Sequence, residues 1–406
     1  MSSAIEPDTL PTLHPVMFRP VTDLTDIQGD FNLKTAAVTF KKEDIEFIIG
    51  NKWEQVYARM IDNEYYPLPA KWLITTQKWV PYKADNWRET PLSTNCNGCH
   101  TTGFNPDTYE FSEYGIGCEA CHGPAGKHVI QQRQIQPGSV CRVCHTGKEA
   151  SADKEIIVSV NNSVCGQCHS RGQQSNKSEH MQTSFNFPVK YKPGNSLPTD
   201  YLMSSKQNDH KGKNWWAVGL SKNRHQEFAD FSVSTHSKSL KHLKEKYTEI
   251  RGELTDQCLE CHSSDYKFSK DDAKLTLATA KYGISCVVCH EPHGLRRQFN
   301  SQNIDAEHCG LCHVDSFSNK AAETGKAHYP CPPSAASCAD CHMPYIIKSG
   351  GAYPIRSHAF KIVPPIASET FKMPNSCQNG GCHADKSLDW AKEAFAKHYP
   401  EYSGNE

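Results

Sequence analysis

Residues 118–122 read Cys-Glu-Ala-Cys-His, and the same pattern of cysteine, two residues, cysteine and histidine recurs seven more times along the chain. Two thiols at this spacing can bond to the two vinyl groups of one porphyrin, and the next imidazole then lies under the iron as a ligand. The pattern therefore predicts covalently attached haem c. The eight motifs are Cys96, Cys99 and His100; Cys118, Cys121 and His122; Cys141, Cys144 and His145; Cys165, Cys168 and His169; Cys258, Cys261 and His262; Cys286, Cys289 and His290; Cys309, Cys312 and His313; and Cys338, Cys341 and His342.

Zinc binding and thiol redox chemistry are the alternatives for any single Cys-x-x-Cys pair. A zinc site does not require a histidine directly after every second cysteine, yet all eight motifs have one. A redox pair would explain one motif at best. Haem attachment is the one chemistry that accounts for the whole set.

A ninth, longer motif lies near the end of the sequence, where Cys377 and Cys382 are separated by four residues and followed by His383. Gly380 and Gly381 would let the longer loop fold back, so that both sulfurs reach one porphyrin. A reduced pair or a local disulfide is the alternative. We expect nine haems, with eight as the minimum. Cys331 belongs to no motif and is predicted to be a structural free thiol, with thioether formation or metal ligation as alternatives.

The composition supports an exported protein with little conventional core. Only 37% of the 406 residues are hydrophobic, and 19 cysteines are unusual for a cytosolic chain. No signal peptide is visible, but haem attachment normally happens outside the cytoplasm, so we predict a periplasmic or extracellular protein whose export signal is missing from this numbering. The net charge of −1, to which haem propionates add negative charge, does not indicate a basic nucleic-acid-binding surface, and we predict no nucleic-acid partner. No apolar stretch is long enough to predict a membrane span.

An internal duplication organises the motifs. Tyr-Gly-Ile and one further residue precede both Cys118 and Cys286, and 23 positions separate Cys118 from Cys141 as well as Cys286 from Cys309. We predict short α-helices and irregular loops wrapped around a chain of haems, with a small, partly β-structured N-terminal region. Its β-forming runs are 36–40, 45–49 and 71–80. The predicted units are an N-terminal arm and cap at 1–95, a four-haem module at 96–170, a polar linker with a ligand-donating helix at 171–257, a second four-haem module at 258–345 and a C-terminal extension with the ninth site and a terminal helix at 346–406.

Spare histidines are numerous enough to supply a second ligand for every iron. The chain has 21 histidines, of which nine end the motifs. His293 and His128 follow their motifs too closely to bend back over their own iron, so each should bind a neighbouring haem. The favoured second ligands are His128, His225, His236, His293 and His358, followed by His14, His308, His328 and His398, whereas His180, His210 and His242 are weaker candidates. Ligation by two histidines gives lower potentials than ligation by methionine and histidine.

The segments around several motifs resemble a large family of exported bacterial multihaem cytochromes. The similar segments are 118–128, 165–172, 224–236, 286–293, 338–344, 357–360 and 374–377. The resemblance implies that His128, His236, His293 and His358 are second iron ligands. Members of that family include periplasmic carriers, surface terminal reductases and extracellular cytochrome filaments. This chain departs from the family in the four-residue spacing of its last motif.

Two functions fit these features. The first is electron conduction from redox protein donors to an external or protein acceptor, in a single molecule or in a filament of self-associated subunits. In a filament, His14 on the N-terminal arm could bind a haem of the next subunit, although it could also be an ordinary tail histidine. The second is an oxidoreductase of the nitrite, hydroxylamine or tetrathionate type, with one iron open to substrate. No motif has the lysine replacement found at some catalytic haems, so we favour electron transfer and predict no catalytic residues.

Overall fold

The computed structural model describes residues 12–124, 160–174, 184–250, 254–268, 275–293, 308–313, 331 and 336–400, with the backbone alone at 246–250. The strands are β1 (Phe18–Pro20), β2 (Phe47–Ile49), β3 (Glu54–Ile61), β4 (Glu64–Leu73), β5 (Lys78–Pro81), β6 (Thr101–Thr102), β7 (Glu113–Tyr114), β8 (Gly172–Gln174), β9 (Tyr201–Met203), β10 (Tyr345–Ser349) and β11 (Ala352–Arg356). The α-helices are α1 (Leu92–Asn95), α2 (Asn97–His100), α3 (Cys118–His122), α4 (Ser163–His169), α5 (Glu227–Ser232), α6 (Ser239–Ile250), α7 (Leu259–His262), α8 (Ser264–Phe268), α9 (Cys286–Cys289), α10 (Cys338–His342), α11 (Ile366–Phe371) and α12 (Leu388–His398).

A five-stranded antiparallel sheet forms the N-terminal region, with its strands in chain order from β1 to β5. Asp62 and Asn63 join β3 to β4 with positive φ angles of 49° and 63°, which is the backbone that a tight two-residue hairpin requires. One face of the sheet buries Tyr57 and Trp72, which are 0% and 1% exposed. These aromatic side chains give the sheet a core of its own, and the predicted partly β N-terminal region is confirmed.

The positions of the strands were predicted only in part. Residues 36–40 form turns rather than a strand, whereas the run 45–49 overlaps β2 and the run 71–80 overlaps the end of β4 and most of β5. Strand β3 and most of β4 were not predicted. Their sequences mix charged, aromatic and proline residues, and β4 contains Pro67 and Pro69. The ladder between β3 and β4 shifts register between Val56 and Ala58, opposite these prolines. A proline can be accommodated at such an irregularity, so it does not rule out a strand there.

Short helices dominate the rest of the described chain, as predicted. Several helices are only four or five residues long and coincide with an attachment motif, as α3 does from Cys118 to His122. The longest are α6 and α12, with 12 and 11 residues. Ser387 begins α12, the predicted terminal helix, by accepting a hydrogen bond from Trp390 N at 3.1 Å. None of the described helices is long and apolar enough to cross a membrane.

The buried apolar residues form several small clusters instead of one continuous core. One cluster joins the β10–β11 hairpin to Trp216 and Val363, and another packs α6 against Leu259 of α7. Clusters of this size bury little apolar surface each, and large planar cofactors would supply the missing contacts between them. The fold therefore serves to place the short attachment helices. The predicted boundaries of the five units stay a prediction.

Candidate haem sites

Five histidine pairs face each other in the described part of the chain, with ring centroids 5.9–6.3 Å apart. A metal–nitrogen bond of about 2 Å on each side of one iron would place the centres of two opposed imidazoles about 6 Å apart. The spacing in the structure fits this arrangement. The pairs are His14–His169 at 6.3 Å, His100–His225 at 6.2 Å, His122–His293 at 5.9 Å, His236–His313 at 6.0 Å and His290–His358 at 6.0 Å.

Each pair joins one motif histidine to one predicted second ligand. His293 follows its own motif by three residues and faces His122 of a different motif, with the two rings only 7° from parallel. This is the arrangement expected for a ligand that cannot bend back to its own iron. His14 faces His169 of the same chain, so the structure does not support the expectation that His14 binds a haem of the next subunit.

The other predicted ligands have different positions. His128 and His328 lie outside the described residues. His308 is half-buried beside Cys309, and His398 is exposed at the end of α12. No histidine ring faces His398 in the ranges that the structure describes. The assignment of these four histidines as ligands stays a prediction.

The third motif, at 141–145, falls wholly outside the described residues. Haem attachment at Cys141 and Cys144, and iron ligation by His145, stay predictions from the sequence pattern.

The seventh motif is described, and it approaches the fifth. Cys312 N donates to Cys309 O at 3.2 Å, which closes the motif into one turn. The Sγ atom of Cys261 lies 3.9 Å from Leu311 O, and burial raises the pKa of Cys261 to about 11, with the nearby Cys312 adding to the shift. Cys309 and Cys312 are not joined to each other in a disulfide. Haem attachment at these two cysteines stays a prediction.

The ninth motif is folded as a compact loop. Gly380 and Gly381 both have positive φ, at 62° and 90°, as the predicted fold-back requires. Cys377 and Cys382 are not joined in a disulfide. The ring of His383 lies 4.9 Å from that of Trp390 on α12. Burial raises the pKa of Cys382, and Asp340 and then Cys331 add to the shift, so Cys331 is within electrostatic reach of the ninth motif.

Burial keeps several paired imidazoles in the neutral form that binds a metal. It lowers the pKa of His100, His236 and His290 to about 4 in each case, with nearby charged or titratable groups adding to the shift. It lowers the pKa of His225 well below the ordinary value, and Arg224 adds to that effect. These side chains are therefore neutral at physiological pH without any metal.

Acceptor groups lie beside the Nδ1 atoms of three other histidines, the paired His169 and His358 and the motif histidine His262, which leaves their Nε2 atoms to face an iron. The partners of His358 and His262 are backbone carbonyls, Arg356 O at 3.0 Å and Ser239 O at 3.3 Å. The partner of His169 is the carboxylate of Glu227, with Oε2 3.5 Å away. Such contacts fix the orientation and tautomer of a ligand ring.

A buried carboxylate on α5 holds the loop that carries His358. Asp230 is 0% exposed and accepts hydrogen bonds from Ser357 Oγ at 2.7 Å, His358 N at 2.6 Å and Ala359 N at 3.1 Å. Its other oxygen accepts from Ser221 N at 2.9 Å. Helix α5 thus supports two histidine pairs, through Glu227 and through Asp230 one turn later.

The motif helix α4 is in contact with three other motifs. Gln167 of α4 accepts a hydrogen bond from Cys99 Sγ at 3.5 Å and donates one to Ala120 O at 2.9 Å. Asn162, which precedes α4, accepts from both N and Sγ of Cys286, at 2.8 Å and 3.0 Å. Motifs of both predicted modules therefore meet here, and we call these contacts the α4 crossing.

Polar and glycine residues around the motifs fit a bound porphyrin. The side chains of Asn97 and Gln226 are 0% exposed, and neither amide has a hydrogen-bond partner among the described residues. Buried amides without a partner are rare, and both lie next to the paired histidines His100 and His225. A polar group of a cofactor would satisfy them. Within α4, a Cβ atom added at Gly166 would lie 2.7 Å from the ring of Phe228, so the motif packs tightly on α5.

Three supporting residues were missed by the sequence analysis: Glu227, Asp230 and Asn162. Glu227 and Asp230 lie close to His225 in sequence, and their three-residue spacing places two carboxylates on neighbouring positions of one helix. That spacing is the one signal that could have drawn attention to them. Nothing in the sequence marks Asn162.

Comparisons with known proteins agree with this geometry. The family described as "Cytochrome c7 and related cytochrome c" matches residues 104–170, and the family "Cytochrome c554 and c-prime" matches residues 75–123 and 222–291. The multiheme cytochrome MtrA of Shewanella baltica (strain OS185) is 27% identical over 88 residues, which are 22% of this chain and 24% of that protein. The match thus spans about a quarter of the length of this curated relative.

Two solved structures are also similar. The outer cell wall cytochrome OcwA has a TM-score of 0.74 and 27% sequence identity, over 95% of this chain and 82% of that one. An undecaheme cytochrome from the S-layer of Carboxydothermus ferrireducens has a TM-score of 0.44 and 19% identity, over 94% of this chain and 56% of that one, which is too distant to support an argument. The motifs, the family matches and the similarity to OcwA together show that the chain belongs to the multihaem c-type cytochromes.

Proposed function

We propose that this protein conducts electrons along about nine haems, most of them bound by two histidines, between redox protein donors and an acceptor outside the cytoplasm. The observation that carries the proposal is the set of five histidine pairs at one common spacing. An iron closed on both sides by imidazole can change its oxidation state but has no position left for a substrate. Closely packed sites of this kind suit electron transfer.

The protein's own residues would tune and insulate these sites. Burial, ligand orientation and hydrogen bonds to the ligands determine the potential of each haem, whereas the electron chemistry itself belongs to the cofactor. Contacts between motifs, as at the α4 crossing, would keep neighbouring haems close. The name of OcwA as an outer cell wall cytochrome supports a periplasmic or extracellular location for this chain. Self-association into a filament is a further form of the proposal, without His14 as the donated ligand.

One observation favours the second candidate, an oxidoreductase with an open iron. Within the described ranges, no histidine ring faces His262 or His383, and the ring nearest to His383 is the indole of Trp390. An iron bound only by its motif histidine could bind nitrite, hydroxylamine or a sulfur compound. The two candidates differ in spin state, because an iron with an open position is high-spin and an iron with two histidine ligands is low-spin.

The test uses the purified, haem-loaded protein. Intact-mass measurement is expected to show nine haems, and eight would exclude attachment at Cys377 and Cys382. Electron paramagnetic resonance of the oxidised protein is expected to show low-spin signals. Strong high-spin signals together with turnover of nitrite, hydroxylamine or tetrathionate would overturn the conduit in favour of the enzyme. Electron microscopy of concentrated protein would reveal filaments, and monodisperse particles would exclude them.

A matched pair of variants tests the histidine pairs directly. His225→Ala removes the partner of His100 and is expected to convert one low-spin haem to high-spin. His210→Ala removes an exposed histidine that faces no other ring in the described part of the chain, and it is expected to leave the spectrum unchanged. An unchanged spectrum in His225→Ala would contradict ligation by that residue.

A further inference from the structure

The carboxylate of Glu227 distinguishes the α4 site from the other described histidine pairs. Its Oε2 atom lies 3.5 Å from Nδ1 of His169 and is inaccessible to solvent. Among the described residues, Glu291 also lies close to a paired histidine, 3.4 Å from Nδ1 of His293. The side chains of Glu291 and His293 are 32% and 52% accessible, against 19% and 48% for Glu227 and His169. The two contacts differ mainly in the carboxylate, which is better shielded at Glu227, and they therefore form a natural comparison.

A carboxylate beside Nδ1 changes the ligand that an iron experiences. The negative oxygen attracts the Nδ1–H group of a neutral imidazole across the 3.5 Å contact, and this polarises the ring so that the opposite nitrogen, Nε2, becomes a stronger electron donor. A stronger donor stabilises the oxidised iron and lowers its potential. The negative charge acts in the same direction through space, and its effect is larger where water is excluded. The backbone carbonyls beside His262 and His358 carry no net charge and have a weaker effect.

The position of this carboxylate gives it a consequence beyond one site. Helix α4, which ends at His169, is in contact with the motifs of Cys99, Ala120 and Cys286. The haem attached to α4 would therefore lie close to three other attachment motifs, including one in the second predicted module. A haem of low potential at this position holds an electron only briefly. It therefore separates the haems attached at the three neighbouring motifs from one another.

Building on the proposed function, we infer that Glu227 is a potential-setting residue, which makes the α4 haem the lowest in potential of the haems at the α4 crossing. An electron that passes between the haems of the two predicted modules through the α4 haem must then cross a site of lower potential. Glu227 touches a ligand and acts through it, so it is a positioning residue. Its fixed location follows from the tight packing of α5 on Gly166 and from the helical position that it shares with Asp230.

The experiment is a potentiometric titration of the haem-loaded protein, monitored by absorbance and electron paramagnetic resonance. In Glu227→Gln the amide keeps the shape of the side chain but removes its charge. One haem is expected to shift to higher potential and to be reduced earlier, with a change in its g-values, while the others stay in place. Glu291→Gln, the matched exposed variant, is expected to give a clearly smaller shift. Glu227→Asp, which keeps the charge on a shorter side chain, should fall between Glu227→Gln and the unmodified protein.

The outcomes separate this inference from the proposed function. If no component moves in Glu227→Gln, or if Glu291→Gln moves one by as much, the role of Glu227 is excluded while the low-spin haems still support conduction. If the unmodified protein is largely high-spin, the proposed function itself fails. Haem content and far-ultraviolet circular dichroism identify a variant that has not folded. In that event the titration of Glu227→Asp decides, because an unshifted component there excludes the role.

Discussion

Replacing Asp230 by asparagine removes the charge of a carboxylate that has 0% exposure and accepts four hydrogen bonds. The amide oxygen of asparagine can occupy only one of the two oxygen positions. If it keeps the three donors from the loop of His358, its NH₂ group meets the N–H of Ser221, so two donors face each other without an acceptor. Hydrogen bonds to a charged acceptor contribute about 1.5–3 kcal/mol each, and an unsatisfied buried group costs about 1–3 kcal/mol. We expect the free energy of unfolding to fall by about 3–5 kcal/mol.

The same substitution has a spectroscopic consequence. His358 lies on the loop that Asp230 holds, and its ring centroid is 6.0 Å from that of His290. Loosening the loop moves this ring away from its partner, so one haem is expected to become partly high-spin. Denaturant unfolding of the haem-loaded protein, followed by far-ultraviolet circular dichroism, measures the stability. Electron paramagnetic resonance at neutral pH measures the spin state.

Asp209 offers a matched control, because its carboxylate also accepts several backbone hydrogen bonds. They come from Asn214 N and Trp215 N at 2.7 Å each and from Lys213 N at 3.0 Å. Its loop carries none of the described histidine pairs, and the side chain is only half-buried. Asp209→Asn is therefore expected to cost less stability and to leave every haem low-spin. A change of less than about 1 kcal/mol together with a normal spectrum in Asp230→Asn would refute the reasoning.

Two further predictions concern the segment of His14 and a buried ion pair. Gly115 has φ of 72°, its added Cβ would overlap Pro15 O, and the neighbouring Ile116 N donates to His14 O at 2.9 Å. Gly115→Ala should therefore displace His14 and yield one high-spin haem in the electron paramagnetic resonance spectrum. Gly219 also has a positive φ, of 78°, but no atom lies within 4 Å of its added Cβ, so Gly219→Ala should cost only about 1 kcal/mol of stability and leave the spectrum unchanged. Glu54 is 5% exposed and forms ion pairs with Arg224 and with Lys71, whose Nζ is 2.9 Å away. Burial raises the pKa of Glu54, but the two cations lower it by more, so that the net pKa lies below the ordinary value. Glu54→Gln should lower the free energy of unfolding by about 3 kcal/mol at neutral pH, measured by denaturant unfolding. Because the pKa of Glu54 is lowered in the folded state, the stabilisation by its charge is lost as the pH falls below about 4.5. An equal loss of stability at acidic pH would contradict the assignment.

The chemistry of the attachment sites could be predicted from sequence because covalent haem binding is encoded locally. Two thiols and one imidazole within five consecutive residues need no long-range contact to be recognised. Only three positions separate His293 from His290, the last residue of its own motif, and this was enough to predict that His293 serves a different haem. The structure places its ring opposite that of His122. The terminal helix was predictable for a similar reason, since Ser387 and the apolar spacing that follows it act within a few turns.

Features that depend on distant contacts were not predictable in this way. Nothing in the order of residues pairs His100 with His225 rather than with another spare histidine, because the pairing depends on how α2 and the segment before α5 pack. Asp230 in isolation reads as a surface residue, and its burial depends on donors from residues 357–359 and Ser221. Most of strand β4 was missed because its prolines lower strand propensity, while the irregular ladder that accommodates them depends on β3.

The histidine pairs also bear on how the protein matures. Their members are between 68 and 171 positions apart in the chain, and the partner of His14 is at position 169. Contacts so far apart in sequence form late, because long loops must close first. An attachment enzyme would therefore meet each motif while its second ligand is still on an unfolded or unexported part of the polypeptide. Porphyrin attachment can proceed in chain order, but closure of each iron must await the later member of its pair, at position 169 for the first of these pairs and at position 358 for the last. A product truncated before position 358 would therefore carry its haems and still lack its final spectrum.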